Sequence, residues 1–337
     1  MRKFFRVCAI FFLSFLIALF LLELTARFIV KQPYYAFPEG YFVPNEFYGY
    51  ALARNFKGRY AQPEFNISID TNSDGLRDVE HDFSEKKFKI LALGDSFSFG
   101  VGVELKDTYL SRLEQALNQG SASKTFSVIK AGVVGYSTFN EKIYLARRGL
   151  EYQPDLVLVQ FWWDDLGVDR ITYLSQMGFL TQGAIKNPQA WRLFLNRHVR
   201  SYALLRRIFS AICQKSLFPL KLANDGDRAA LEAKVAVTVN EFKEIQALCA
   251  RNHAACLFIL MPPREFVYKE HSSWDYFCAV LKDNQIFAFD LLPVLKNAPE
   301  GERPVFFNVD LHLNQNGHKV AADALGRFLI QRAVVKK

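Results

Sequence analysis

Cysteine is scarce, with five in 337 residues, and the spacing fits no zinc motif. That density at this length excludes a disulfide scaffold. Cys213, Cys249, Cys256 and Cys278 read as buried thiols, with a disulfide left open in an oxidising compartment. There is no internal repeat and no low-complexity tract, so a solenoid or a collagen-like chain is excluded. No nucleic-acid-binding motif occurs. Gly100-Val-Gly102 lacks the third glycine and the acidic partner of a dinucleotide site, and reads as a loop. Acidic residues are missing from one long stretch: residues 171–221 hold eight Lys and Arg and no Asp or Glu.

What is present is an ordinary globular composition, 50% hydrophobic and 23% charged, in a chain long enough for one large domain with additions. The net charge of +8 is unevenly placed. Residues 1–31 carry Arg2, Lys3, Arg6, Arg27 and Lys31 against Glu23 alone, and 171–221 carry the other excess. The remainder is mildly acidic, which argues against a nucleic-acid partner.

Val7 to Leu22 is free of charge, and only Ser14 in it is polar. With its flanks, a helix here reaches across a bilayer. Glu23 and Arg27, four apart, suit a continuing helix. A cleavable signal peptide is the rival reading, but Leu-Leu-Glu-Leu-Thr-Ala-Arg is a poor cleavage site. Arg2, Lys3 and Arg6 before the segment keep the N-terminus in the cytoplasm. The expectation is a single-pass signal anchor over 1–31, with the rest extracytoplasmic at the cell membrane.

Residues 32–86, rich in Tyr, Pro, Asn and Gly, read as a β-containing approach segment, with a strand at Phe65-Asn-Ile-Ser-Ile-Asp-Thr and a turn at Asn72-Ser-Asp-Gly. From residue 87 strands and helices alternate. Strands are expected at Phe88–Leu93, Phe126–Lys130, Asp155–Phe161, Cys256–Met261 and Ile286–Phe289. Helices are expected at Thr108–Asn118, after a capping box at Thr138-Phe-Asn-Glu141, over Leu231–Cys249, and at the chain end. This pattern implies a parallel sheet with helices on both faces, a three-layer α/β/α domain over 87–337. Residues 165–227 interrupt it as a mostly helical insertion. Within it Trp191 to Phe209 interleaves basic and large apolar residues, which suits a cap helix, a membrane surface or an anionic polymer.

Gly94-Asp95-Ser96 follows the first strand of that domain, at the sheet edge where open α/β sheets bind ligands. A Ser there needs a base, and Asp310-Leu-His312 before the last helix supplies an imidazole with a carboxylate to orient it. His318 reads as structural. His81, His198, His253 and His271 have no partners in sequence and read as surface residues.

These residues resemble the GDSL or SGNH hydrolases. Gly94-Asp-Ser-Phe-Ser resembles their first block, Gly132-Val-Val-Gly135-Tyr-Ser-Thr their second, and Asp310-Leu-His312-Leu-Asn their last. Gln160-Phe-Trp-Trp-Asp164-Asp165 stands where the third block lies. The resemblance covers 88–330 and implies a flavodoxin-like SGNH fold. Asn72-Ser-Asp-Gly-Leu-Arg77 looks like the turn before the domain in membrane-anchored members. The roles it implies are Ser96 as nucleophile, His312 as base and Asp310 as orienter. The oxyanion hole would be formed by Ser96, Gly135 and the third-block residue. That residue is usually Asn, and here it is Asp164. An ionised carboxylate repels an oxyanion, while a protonated one can donate to it. The family Asp often stands three before the His, at Val309, and Lys130 stands where many members have Asn. No Gly-x-Ser-x-Gly elbow occurs, which disfavours the lipase-type α/β-hydrolase fold.

The expected activity is a serine esterase or deacetylase on an acylated carbohydrate or lipid, the substrate being an acylated small molecule or glycan, with no metal or cofactor. The alternatives are an O-acyltransferase of cell-surface polysaccharide and, because of Asp164, a non-catalytic SGNH-fold binding protein.

Overall fold

A computed structural model describes residues 2–29, 37–62, 64–82, 87–119, 125–167, 172–174, 180–182, 194–195, 198–213, 228–308, 310–332 and 334. The chain begins with α1 (Arg2–Ile29), whose apolar side chains face outward almost throughout. It contains an 18-residue window of mean hydropathy 2.7 and is long and apolar enough to cross a membrane.

The approach segment forms two antiparallel hairpins: β1 (Phe42–Asn45) with β2 (Gly49–Leu52), and β3 (Arg59–Gln62) with β4 (Phe65–Ser68). The main sheet follows, with β5 (Phe88–Gly94), β6 (Phe126–Gly132), β7 (Leu156–Trp162), β10 (Ala255–Met261) and β11 (Ala288–Asp290). All its pairings are parallel, in the order β11-β10-β7-β5-β6. The order reverses between β5 and β7, so the crevice at their carboxyl ends is the topological switch point.

Side chains alternate across the strands. Ile90, Ala92, Leu156 and Leu158 face one core, packed with Leu110 and Leu113 of α3 (Tyr109–Asn118) and with Leu325 and Leu329 of the last helix. Leu91, Leu93, Val157 and Val159 face the other. It takes in Leu145 of α4 (Thr138–Arg147). Phe242 of α6 (Arg228–Arg251) and Phe277 of α8 (Ser272–Asp283) complete it. The result is the three-layer α/β/α domain that the alternation predicts.

Three local expectations are corrected. Helix α4 is capped by Ser137, whose N–H donates to Asn140 Oδ1 at 3.1 Å. The capping box is thus one residue earlier than Thr138 and Glu141, and Glu141 is buried. The strand expected at Ile286 begins at Ala288. The insertion also carries a small hairpin, β8 (Thr172–Leu174) and β9 (Leu180–Gln182), before α5 (Arg200–Cys213). Finally, His81 is not a surface residue: its side chain is 7% exposed and bonds Asp78 at 2.7 Å and Ser127 at 3.1 Å.

That histidine belongs to a buried ion cluster joining the approach segment to β6. Lys130 Nζ donates to Asp78 at 3.0 Å and to Glu114 at 2.8 Å, and the Lys130 N–H donates to Asp78 at 2.8 Å. A lysine buried at this position therefore has its charge matched. Burial pulls its ammonium down, but the two carboxylates win and hold it above its ordinary value.

Candidate active site

Ser96 opens α2 (Ser96–Phe99), a single helical turn directly after β5. Asp95 caps that turn by accepting the Phe97 N–H at 2.8 Å. Below it, the buried Gln160 of β7 accepts the Asp95 N–H at 3.2 Å and the Ser98 hydroxyl at 3.1 Å. The nucleophile loop is thus seated on the neighbouring strand across the switch point.

His312 arrives from the opposite end of the sequence. Its Nε2 lies 2.7 Å from Ser96 Oγ, and its Nδ1 lies 2.5 Å from Asp310 Oδ1. The same carboxylate oxygen also accepts the His312 N–H at 2.9 Å. The His312 and Asp310 side chains are 13% and 20% exposed, so the relay is largely shielded from water. Burial raises the Asp310 carboxyl, but the imidazole and the backbone N–H outweigh it and keep the group below its ordinary range. The Asp95 carboxyl goes the other way: burial pushes it up to about 6 against the Phe97 N–H.

The cavity beside the relay has a volume of about 290 Å³, and Ser96, Gly135, Asp164, Asp165 and His312 all line it. A larger surface cleft of about 620 Å³ beside Phe47, Lys142 and Leu248 includes none of these residues. Gly135 has φ +80°, and a Cβ there would meet the Tyr50 hydroxyl. Only glycine suits both the backbone and the close approach. Asp164 lies in the short 3-10 turn after β7, at the cavity wall. His318 is buried, accepts the Tyr109 N–H at 3.1 Å, and is held neutral by burial, its value lowered to about 3.

Sequence reading missed the residues that hold the three site loops, and all but Arg264 come from the approach segment. Arg77 is buried and donates to Phe99 O at 2.8 Å, Gly100 O at 3.0 Å and Val103 O at 2.8 Å, while also bonding Ser68 O. Tyr50 Oη donates to Val134 O at 2.8 Å, and Tyr136 Oη donates back to Tyr50 O at 2.6 Å. Glu64 accepts the Asn308 and Asp310 N–H groups, one on each carboxylate oxygen, both at 2.8 Å. From the other side Arg264 donates to Phe307 O at 2.8 Å and Asn308 O at 2.9 Å. The signal available beforehand was only the resemblance of Asn72–Arg77 to a turn. Nothing local marks Tyr50 or Glu64.

Against known proteins, a family model described as "SGNH hydrolase-like domain, acetyltransferase AlgX" matches residues 222–336. This match takes in the His312 block, and the Ser96 block completes the relay at hydrogen-bond distance. The match spans about a third of the chain, and over those residues the chain is similar to an SGNH hydrolase-like domain. Among solved structures, this chain resembles a lipolytic protein of the G-D-S-L family from Desulfitobacterium hafniense DCB-2, at 14% identity, TM-score 0.41, over 72% of this chain and 99% of that one. It also resembles the acetyl xylan esterase AlAXEase, at 14% identity, TM-score 0.43, over 72% and 100%. A third likeness is the psychrotrophic esterase EstA from Pseudoalteromonas sp., at 14% identity, TM-score 0.42, over 74% and 100%. With TM-scores under 0.5 these likenesses decide nothing about the chain. No curated protein sequence matches it.

Two outcomes follow from this geometry. Because the folded Asp95 carboxyl binds its proton more tightly than the unfolded one, stability falls as pH rises from about 4 to about 6 and then levels. Asp95→Asn keeps an acceptor for Phe97 without the charge. It should therefore raise stability at pH 7.5 by on the order of 1–3 kcal/mol and leave it nearly unchanged at pH 4. Thermal melts of the detergent-solubilised chain read this. Glu64→Gln leaves one good acceptor where there were two. It should cut kcat roughly 10- to 100-fold with little change in KM, since a 1 Å drift of the His312 loop is costly. Steady-state kinetics on a small ester, with a melt to show retained folding, provide the check.

Proposed function

We propose that this protein is a serine acyl-transfer enzyme of the SGNH type that cleaves O-acyl esters of a carbohydrate or small molecule through a Ser96 acyl-enzyme. The observation that supports it most is the continuous relay from Ser96 Oγ to His312 at 2.7 Å and on to Asp310 at 2.5 Å. In this reading His312 Nε2 takes the Ser96 proton as Oγ attacks the ester carbonyl. Asp310 holds the Nδ1–H tautomer and stabilises the imidazolium. The backbone N–H groups of Ser96 and Gly135 receive the oxyanion. The imidazolium then gives its proton to the departing alcohol. Water, deprotonated by the same imidazole, releases the acid and restores Ser96. A cavity of about 290 Å³, small for a ligand site, favours a short acyl group over a long chain. In the same reading α1 anchors the chain in the cell membrane with the domain outside the cytoplasm, as the Arg2, Lys3 and Arg6 flank supports.

A second reading replaces water by a sugar hydroxyl as acceptor, giving an O-acyltransferase of cell-surface polysaccharide. The family match, whose description is of an acetyltransferase, favours it. The assembled relay weighs against a purely binding role.

The full-length protein should be labelled covalently by a fluorophosphonate probe, and Ser96→Ala and His312→Ala should each abolish labelling. A wild-type chain that neither labels nor hydrolyses p-nitrophenyl acetate between pH 5 and 9 would refute the enzymatic reading. Asp164→Asn puts an amide donor where a carboxylate lines the cavity. It should raise kcat on p-nitrophenyl acetate by about tenfold or more, one oxyanion donor being worth roughly 10²–10³. A fall instead would make a protonated Asp164 the native donor.

A further inference from the structure

Among the described residues, helix α5 (Arg200–Cys213) has one buried residue in its first turns, Ala203, and an exposed face opposite it. Leu205, Ile208 and Phe209 stand at i, i+3 and i+4, on one side of the helix. They are 56%, 46% and 65% exposed. Three large apolar side chains in one exposed stripe are a contact surface in search of an apolar medium.

The place of that stripe is fixed by α1. Glu23 caps the start of α5: its carboxylate accepts the Arg200 N–H at 3.0 Å, the Ser201 N–H at 2.9 Å and the Ser201 hydroxyl at 2.8 Å. One turn on, Arg27 donates to His198 O at 3.2 Å. Ala26 is the buried residue of α1, as Ala203 is of α5, and small residues let two helices approach closely. Glu23 directly follows the uncharged run Val7–Leu22. At 1.5 Å per residue that run spans about 24 Å of a hydrocarbon core about 30 Å thick. A carboxylate there lies at the polar boundary opposite the Arg2, Lys3 and Arg6 end, and α5 starts at its level.

We propose that α5 is an interfacial helix, with Leu205, Ile208 and Phe209 immersed in the outer face of the bilayer that α1 crosses. This rests on the reading of α1 as a membrane anchor. Outward apolar residues also stand on α1 just before Glu23, where Phe20 and Leu21 are 66% and 53% exposed. The surrounding 171–221 stretch, with eight basic and no acidic residues, suits an anionic headgroup layer. The same insertion contributes Thr172 to the wall of the active-site cavity. One inserted segment therefore carries both the lipid-facing element and part of the wall of the Ser96 cavity, which favours a substrate presented at the membrane surface.

The test uses the full chain reconstituted in phosphatidylcholine–phosphatidylglycerol vesicles, with Phe209→Trp or Leu205→Trp added to the native tryptophans. Vesicles containing 6,7-dibromo-phosphatidylcholine should reduce the added emission about twofold, while aqueous iodide leaves it nearly unchanged. Emission quenched by iodide and not by bromolipid would place the stripe in water and overturn the proposal. Emission shielded from both would mean a protein partner, such as a second copy, and overturn it equally. Alkaline carbonate extraction of the same vesicles separates the two readings. If the chain is stripped out, the anchor itself fails and this proposal falls with it. If it stays while bromolipid has no effect, only the interfacial helix is wrong.

Discussion

The Arg77 guanidinium is the contact on which the site most depends. It is buried at 2% exposure and spends its donors on main-chain carbonyls, three of them in the loop that follows the Ser96 turn. Its charge is met by aligned carbonyl dipoles and the Phe99 ring, 4.8 Å away. Burial lowers its value to about 10, which leaves it protonated at any neutral pH. The loops at a sheet edge are not fixed by the sheet's own ladder, so something must hold them from outside. Arg77 does so for the Ser96 loop, Tyr50 for the Gly135 loop and Glu64 for the His312 loop.

The approach segment is therefore part of the site's architecture and not a spacer. Its hairpins join the hydrophobic core on one sheet face, through Tyr41, Tyr50, Ile67 and Ile69, and its Asp78 and His81 lock onto β6 through Lys130. A core contact and a buried ion pair resist the same separation by different means. The first is non-directional, while the second fixes register, because a displaced carboxylate would leave an ammonium unpaired in the interior.

Much of this was legible in the sequence. Period-two alternation and short apolar runs located the strands, and Ser96, His312 and Asp310 could be named because strand-end glycines and a terminal Asp-x-His are local patterns. What escaped were contacts between side chains and distant main chain. Glu64 meets Asp310 across 246 positions and Tyr50 meets Val134 across 84. Such bonds leave no periodicity, since the main-chain partner is a carbonyl or N–H that any residue offers. The burial of His81 escaped in part for the same reason, since Ser127 lies 46 positions on, although its nearer partner Asp78 is only three positions before it. The cap of α4 slipped by one residue because Thr138 and Glu141 match the box pattern as well as Ser137 and Asn140 do.

Asp310 Oδ1 serves the His312 main chain and ring together, so base and orienter form one short closed loop of bonds. Their mutual geometry is settled by three consecutive residues. Assembling the three groups is then a two-body encounter: the chain pays closure entropy once, over the 216 positions between Ser96 and His312, and not twice.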